Sequence, residues 1–271
     1  MSERPAGDVR VVTYNTAAGN PKITTPQAAF LDLPFYREAL GDEPGAPILA
    51  LQEVGTAQAR ALRRHRRAKA RILQLRRPGL GDALVIPARY EVLETGRGYY
   101  GWSQVMGILD ALARWARTRT TPNWRQFGEL RMWLSARLRE PASGREFTIF
   151  ATHLSVEPSL KVAQARALVR RIDAAAERGP VVLAGDLNVP AGHAHGLDVE
   201  VAAMLAHLRD MGTVVPPGRP NIDYVLAAGF EPVSSRIWTG DSLQLPGSPD
   251  AAHVSDHYPE DDVLRLAPAG A

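Results

Sequence analysis

The sequence contains no cysteine, and this absence excludes two kinds of chemistry. Neither a disulfide bond nor a thiolate nucleophile can form without that side chain. Lysine is also scarce, because only positions 22, 69 and 161 carry it among 32 basic residues. Arginine therefore supplies nearly all the positive charge. Its planar guanidinium suits phosphate groups, although a base-composition bias of the genome would produce the same excess.

Long hydrophobic runs are absent as well. No stretch of the 271 residues is apolar for long enough to cross a bilayer as a helix. The first eight residues also lack the basic and then apolar order of a secretory signal. We therefore expect a cytoplasmic monomer with a single domain over 9–266, tails at 1–8 and 267–271, and an aromatic-rich helical insertion at about 96–128.

The most informative stretch is 180–190, where an apolar run between two prolines ends in Gly185, Asp186 and Asn188. Asp186 and Asn188 are two positions apart, so a strand would direct both to one side at the edge of a sheet. The pair either forms part of a functional site, or Asp186 caps a turn while Asn188 bonds to its own backbone. Similar polar endings elsewhere in the chain favour the functional site.

Several other apolar segments end in acids, amides or histidines. The residues at these ends are Asn15, Gln52 and Glu53, His153, Asp223, and Ser255, Asp256 and His257. A lone histidine is often a satisfied structural residue, so His153 alone carries little weight. A carboxylate at the end of an apolar strand is costly to desolvate unless it is paired or bound to a cation. Glu53 is therefore a candidate metal ligand.

Periodicity predicts the remaining elements. Strands are expected near 9–14, 47–51, 72–75, 82–86, 90–94, 130–138, 146–154, 181–186 and 221–226, with antiparallel neighbours among the short ones, and 263–266 is the apolar end of the domain. Helices are expected near 26–40, broken at Pro34, and near 56–71, 96–127, 160–178 and 199–209.

Two of these helices could contact a ligand. In the segment 56–71, helical spacing would align Arg60, Arg64, Arg67 and Arg71 in a stripe that either follows a polyanion or forms an ordinary solvated face. The segment 96–127 is rich in aromatic residues and arginine. It either packs on its own domain, or serves as a substrate flap or a membrane contact.

The polar endings, in their order along the chain, resemble the endonuclease/exonuclease/phosphatase superfamily, which has the deoxyribonuclease I-like fold. The matching residues are Asn15, Leu51–Glu53, Thr152–Leu154, Gly185–Asn188, Ile222–Tyr224 and Ser255–His257. The resemblance implies an α/β (α+β) protein, a four-layer αββα sandwich of two mixed β-sheets packed face to face with outer helices. It also implies a divalent-metal phosphoesterase site at one edge.

The same resemblance implies roles for individual residues. Asn15, Glu53 and Asp256 would hold Mg²⁺, with Mn²⁺ as an alternative. The residues expected to take part in catalysis are His153, Asp186, Asn188, Asp223 and His257. Within that set, Asp223 would orient His257, and His153 would stabilise charge on the phosphoryl group. Arg131 would contact phosphate, and Tyr100 and Trp102 would contact substrate. Thr16 and Ala17 follow Asn15 where some members carry a second acid, so the number of metal ions stays open.

The implied reaction is hydrolysis of a phosphodiester by in-line attack of water. The basic segment favours nucleic acid as substrate, which would make the protein a nuclease. The aromatic insertion suits a phospholipid or sphingomyelin phosphodiesterase, or a phosphatase for small molecules such as inositol phosphates. A catalytically silent binding module of the same fold is a further alternative, but buried acids without a purpose would cost stability.

Overall fold

The structure is a computed structural model that describes residues 7–17, 31, 33–41, 45–65, 70–76, 80–119, 121, 130–190, 197–212, 222–239, 255 and 257–268. The described helices are α1 Pro34–Gly41, α2 Thr56–His65, α3 Gly101–Thr118, α4 Pro158–Ala176 and α5 Leu197–Leu205. The described strands are β1 Asp8–Asn15, β2 Ile48–Gln52, β3 Ala70–Arg76, β4 Gly81–Pro87, β5 Glu91–Tyr99, β6 Met132–Arg139, β7 Glu146–His153, β8 Val181–Asp186, β9 Arg209–Asp210, β10 Asp223–Ala228, β11 Phe230–Ile237 and β12 Glu260–Leu266.

The strands form two mixed six-stranded sheets. Sheet A has the order β11-β12-β1-β2-β4-β3, and sheet B has the order β5-β6-β7-β8-β10-β9. Both contain one central parallel pair, β1 with β2 and β7 with β8, and the other pairings are antiparallel. Helices cover the two outer faces, so the predicted four-layer αββα sandwich is confirmed.

Three apolar layers hold the sandwich together. The central layer lies between the sheets and contains residues such as Val11, Leu134 and Leu264. A second layer packs α1 and α2 on sheet A, and a third packs α4 and α5 on sheet B. Because both faces of each sheet are covered, the central strands are buried along most of their length, and this produces the mostly apolar runs seen in the sequence.

The strand directions bring the polar endings to one edge of the sandwich. The two parallel pairs end together, with Asn15 opposite Gln52 in sheet A and His153 opposite Asp186 in sheet B. The first residue of β10, Asp223, lies opposite Asp186 in the antiparallel pairing. Polar residues from both sheets therefore meet at the same edge.

Gly185 allows β7 and β8 to approach closely at this edge. A Cβ atom added at Gly185 would lie 2.0 Å from the carbonyl oxygen of its strand partner Thr152. That oxygen belongs to the backbone and cannot turn aside as a flexible side chain could. Only glycine fits at position 185 for this steric reason, and the close approach of the two strands places His153 and Asp186 side by side.

Some predicted boundaries were wrong. The helix predicted over 56–71 ends at His65, and Ala70–Arg76 is a strand that pairs with β4 along its full length, so Arg71 lies on β3 and not on α2. Sheet pairing overrides the helical spacing there. Similarly, β5 continues to Tyr99, so the aromatic helix begins only at Gly101, and the helix predicted over 199–209 ends at Leu205.

Other differences concern α1 and β11. Pro34 does not interrupt a helix but begins α1, where its fixed φ angle suits the first turn; residues 26–30 of that predicted helix lie outside the described part. The strand β11 was not predicted, because it is an edge strand with mostly exposed residues and no apolar run. Within the described ranges, no helix has both the length and the hydropathy that crossing a membrane requires.

Candidate active site

Asn15 and Asp186 join the two sheets at the polar edge. Asn15 Nδ2 donates a hydrogen bond of 3.0 Å to Asp186 Oδ2, and the other carboxylate oxygen, Oδ1, accepts the Asn188 backbone N–H at 2.9 Å. Asp186 is 1% exposed and Asn15 is 2% exposed. Asp186 is thus a buried acid that is fixed in orientation by partners on two elements.

His257 and Asp223 form a carboxylate–histidine pair beside Asp186. Asp223 Oδ2 lies 2.6 Å from His257 Nδ1, and since an ionised carboxylate can only accept, Nδ1 carries the proton. His257 Nε2 lies 3.9 Å from Asp186 Oδ2. Ser255 holds this segment, because its hydroxyl donates to the Asn15 carbonyl at 2.7 Å and accepts the His257 N–H at 3.1 Å.

His153 is oriented by Arg131. Arg131 Nη1 lies 2.6 Å from His153 Nδ1, and a guanidinium can only donate, so His153 carries its proton on Nε2. That Nε2 atom lies 3.4 Å from Asp186 Oδ2. Glu53 Oε1 lies 3.9 Å from His153 Nδ1, and Glu53, Arg131 and His153 line one small depression together with the buried Asp82.

The environment of Asp186 alters its acidity. Burial and the nearby charge of Asp223 raise the pKa of Asp186 to about 7, and His257 and the hydrogen bonds from Asn15 and Asn188 limit the rise. A carboxylate whose pKa lies near neutrality is suited to accept a proton from water. Because the pKa is raised on folding, the ionised carboxylate costs stability, and that cost grows as the pH rises from about 4 to 7.

We expect this acidity to be directly measurable in metal-free protein. Carbon-detected NMR in EDTA can follow the chemical shift of the Asp186 side-chain carboxyl carbon as the pH changes. We expect a midpoint near pH 7. Asp223→Asn should lower that midpoint, because it removes a neighbouring negative charge. A midpoint near 4 in the wild type, or no change in the variant, would contradict this account of the site.

Three residues at this edge have strained backbone conformations. Ala17, Glu53 and Asn188 have φ values of 43°, 53° and 52°. Asparagine tolerates this left-handed region, but alanine and glutamate rarely adopt it. Such conformations persist only where surrounding contacts enforce them, and they concentrate at functional sites.

The contacts that enforce the strained turns involve residues that the sequence interpretation missed. Thr16 Oγ1 donates to the Gln52 and Glu53 carbonyls and lies 2.9 Å from Gln58 Oε1, which also accepts the Gly55 N–H. A glutamine three residues after a helix N-cap is a capping-box signal, so Gln58 could have been found from the sequence.

Lys161 holds the turn at Asn188. This buried lysine on α4 donates to the Asn188 carbonyl at 2.5 Å and to Asp198 Oδ1 at 2.5 Å. Asn188 Nδ2 in turn donates to the Leu154 carbonyl at 2.8 Å. The only sequence signal for Lys161 is the rarity of lysine in this chain.

The residues at this edge fit a hard divalent cation. Asn15, Glu53, Asp186 and Asp223 offer amide and carboxylate oxygens, the ligands that Mg²⁺ prefers. Within the described chain, Asp223 Oδ1 is buried and has no hydrogen-bond partner. The ligand atoms of Asp186, Asp223 and His257 lie within 4.8 Å of one another. Because His257 Nδ1 is already hydrogen-bonded to Asp223 Oδ2 at 2.6 Å, the oxygens of Glu53 and Asn15 are better ligand candidates than His257.

The structure does not bring every predicted residue to the site. Tyr100 is buried among the apolar residues under α4, and its hydroxyl lies 2.8 Å from Thr152 Oγ1, so it has a packing role and the predicted substrate contact is not supported. Trp102, in the first turn of α3, is 81% exposed. Asp256, and Arg67 of the predicted arginine stripe, lie outside the described residues, so the predicted metal contact of Asp256 stays a prediction.

The αββα sandwich, with acids, amides and histidines at one edge, defines the deoxyribonuclease I-like fold of endonuclease/exonuclease/phosphatase proteins. Solved structures with this fold match nearly the whole chain, although no protein-family model and no curated protein sequence does. One is TDP2 from D. rerio complexed with a single-strand DNA product, with a TM-score of 0.66 and 16% identity over 95% of this chain and 99% of that one.

Two bacterial structures match similarly. An endonuclease/exonuclease/phosphatase from Bacteroides vulgatus has a TM-score of 0.64 and 19% identity over 96% of this chain and 99% of its own. A mannosyl-6-phosphatase from Bacteroides thetaiotaomicron has a TM-score of 0.62 and 14% identity over 94% and 99%. At these identities the similarity establishes the fold, and the names show that the fold serves different phosphate esters.

Proposed function

We propose that the protein is a divalent-cation-dependent phosphoesterase that hydrolyses phosphodiester bonds. The observation that carries the proposal is the convergence on Asp186 of Asn15 from sheet A and of two oriented histidines, His153 and His257. A structural role alone would not require a nearly inaccessible acid whose two neighbouring imidazoles are each fixed in one tautomer.

The chain's own residues divide the work of an in-line displacement. Asp186 accepts the proton of the water that attacks phosphorus on the side opposite the leaving oxygen. The P–O ester bond breaks as the new P–O bond forms, and the leaving oxygen takes up a proton from solvent water. Asn188, held by Lys161 and Leu154, positions the water or a phosphoryl oxygen.

The histidines and the metal ligands stabilise charge. His153 directs its Nε2–H toward the space beside Asp186, where it donates to a phosphoryl oxygen as negative charge grows. His257, held by Asp223, has its Nε2 free of that pairing and bonds phosphate or moves a proton. Asn15 and Glu53 would hold the cation, together with Asp256. When bound, the cation supplies Lewis acidity and a charge clamp for the phosphate.

Nucleic acid is the substrate class that we propose first. TDP2, one of the structures with this fold, was solved with a single-strand DNA product. In this chain, Arg60 and Arg64 are exposed on α2, the helix that begins three residues after Glu53. Exposed arginines near a phosphate site suit a polyanion, because each phosphate contact releases counterions.

A lipid or small phosphate ester is the second candidate, because α3 exposes many large apolar side chains. Its exposed residues include Trp102, Val105, Met106, Leu109, Leu112 and Trp115. Tyr100, just before the helix, bonds through its N–H to the Arg131 carbonyl, so α3 begins beside the candidate phosphate contact. Apolar groups of a substrate could lie on that surface.

A substrate panel with and without chelator tests the proposal. Plasmid DNA, RNA, sphingomyelin and a p-nitrophenyl phosphodiester should be incubated with the full chain in Mg²⁺, in Mn²⁺ and in excess EDTA. We expect hydrolysis of at least one phosphodiester that stops in EDTA and returns with metal. Turnover that persists in EDTA would exclude the cation requirement, and binding without hydrolysis of any of them would favour the silent binding module.

Substitutions on α3 and α2 should separate the substrate classes. We expect Trp102→Ala to change the preference among these phosphodiesters more than Arg60→Ala with Arg64→Ala does, because loss of one stacked base alone costs about 1–3 kcal/mol. Trp115→Ala, further along the same helix, shows how far the substrate surface extends. The kcat/KM for each substrate is the measurement, and a folded Trp102→Ala protein with unaltered preference would contradict the expectation.

A further inference from the structure

Lys161 is a lysine in the interior of the protein. Of the three lysines in the sequence it is the one within the described residues, and it lies on α4 with 4% of its surface exposed. Lysine is almost never buried to this extent unless it is paired, because an ammonium taken out of water needs an acid and hydrogen-bond acceptors. The contacts of Lys161 therefore show what its burial serves.

The Lys161 ammonium joins two segments that follow it in the chain. Nζ donates at 2.5 Å to Asp198 Oδ1, in the first turn of α5, and at 2.5 Å to the Asn188 carbonyl, in the turn after β8. The pair with Asp198 compensates the charge. The bond to the Asn188 carbonyl does not, since a backbone oxygen carries only a partial charge. Through that second bond the helical layer reaches the polar edge.

The turn at Asn188 depends on contacts from several elements. The Asn188 N–H donates to Asp186 Oδ1 at 2.9 Å, and Asn188 Nδ2 donates to the Leu154 carbonyl at 2.8 Å. The next carbonyl, that of Val189, accepts the Tyr224 hydroxyl at 2.7 Å. Asn188 has a φ of 52°, and a left-handed conformation of this kind persists only where its surroundings enforce it.

Lys161 supplies the ionic donor among these contacts. A hydrogen bond from a charged donor is roughly twice as strong as one between neutral groups. A neutral side chain would satisfy a carbonyl, so a buried ammonium with its own acid exceeds what the hydrogen bonding of the turn requires. Because the Asn188 N–H binds Asp186 Oδ1, any movement of the Asn188 backbone also disturbs the Asp186 carboxylate.

We propose that Lys161 is a positioning residue, which together with Asp198 fixes the Asn188 turn and thereby the orientation of Asp186 toward the attacking water. The inference rests on the proposed hydrolysis, in which Asp186 accepts a proton from that water. Positioning acts on the reacting geometry and not on substrate affinity, so its loss lowers kcat and leaves KM nearly unchanged. A misplacement of about 1 Å costs about 10²-fold in rate.

Two variants separate positioning from stability. Lys161→Met removes the ammonium and leaves Asp198 without its counter-charge, so both Tm and kcat should fall. In Lys161→Met/Asp198→Asn no unpaired charge remains, so Tm should recover toward the wild-type value. We expect kcat of the double variant to stay about 10–100-fold low, because the bond to the Asn188 carbonyl is still missing. A purely structural ion pair predicts that Tm and kcat recover together.

Arg166→Met is the matched control, because Arg166 forms an exposed ion pair with Glu200 between the same two helices. It should keep wild-type kcat. Hydrogen exchange of the Asn188 N–H, followed by NMR without substrate, should be faster in both Lys161 variants and unchanged in the control. Recovery of kcat in the double variant, or unchanged exchange in either Lys161 variant, would overturn the role of Lys161. A wild type that hydrolyses no phosphodiester would instead overturn the proposed hydrolysis.

Discussion

Replacing Glu53 with Gln is expected to lower kcat/KM by about 10²–10³-fold or more while the fold stays intact. Losses of this size follow when one preorganised charge is removed from a site of this kind. Gln has the same shape, and the Glu53 side chain is 24% exposed, so the substitution leaves no cavity. The Thr16 hydroxyl donates to the Glu53 carbonyl, and the Gly81 carbonyl accepts the Val54 N–H. Both contacts use backbone atoms of residues 53 and 54, so the variant keeps them together with the strained φ of 53°.

The measurement is kcat/KM as a function of Mg²⁺ concentration, with circular dichroism to check folding. Glu94→Gln is the control, because Glu94 is an exposed acid whose ion pair with Arg178 is remote from the polar edge. We expect the Glu53 variant to need more metal and to remain slow at saturation, and the control to match wild type. Full turnover by Glu53→Gln, or by the wild type in EDTA, would exclude the metal-dependent reaction.

The αββα sandwich was predicted from the resemblance of the polar strand endings to a known superfamily, and those endings could be recognised because the central strands are buried on both faces. Such strands appear as apolar runs, and each run stops where the chain reaches the polar edge, as at Asn15 and Asp186. The parallel pairs β1 with β2 and β7 with β8 then place these ends together. The candidate residues could be found because their positions follow from strand ends, which do not depend on details of packing.

Elements whose structure depends on distant partners could not be predicted. A strand was predicted only near 72–75, and Arg71 belongs to β3 because β4 pairs with it. The strand β11, which has no apolar run, exists because β12 pairs with it. The role of Tyr100 depends on Thr152, which is 52 residues away.

The second large effect is expected for Asp223→Asn, which should reduce kcat by about two to four orders of magnitude, as loss of the orienting acid does in other carboxylate–histidine pairs. Asp223 accepts the Nδ1 proton of His257 at 2.6 Å and so fixes the tautomer in which Nε2 carries no proton. An asparagine can donate to Nδ1 instead, which moves the proton to Nε2 and removes the acceptor that faces Asp186.

The chain offers a matched control in Asp173, which pairs with His207 at 3.3 Å on the exposed surface of the helical layer. Asp173→Asn makes the same chemical change in a carboxylate–histidine pair and should leave kcat unaltered. Nitrogen chemical shifts of His257 should report the changed tautomer in Asp223→Asn, while KM changes little because substrate binding rests mainly on other groups. If both variants lose activity equally, or if Asp223→Asn keeps wild-type kcat, then the pair of Asp223 and His257 does not orient a reacting group.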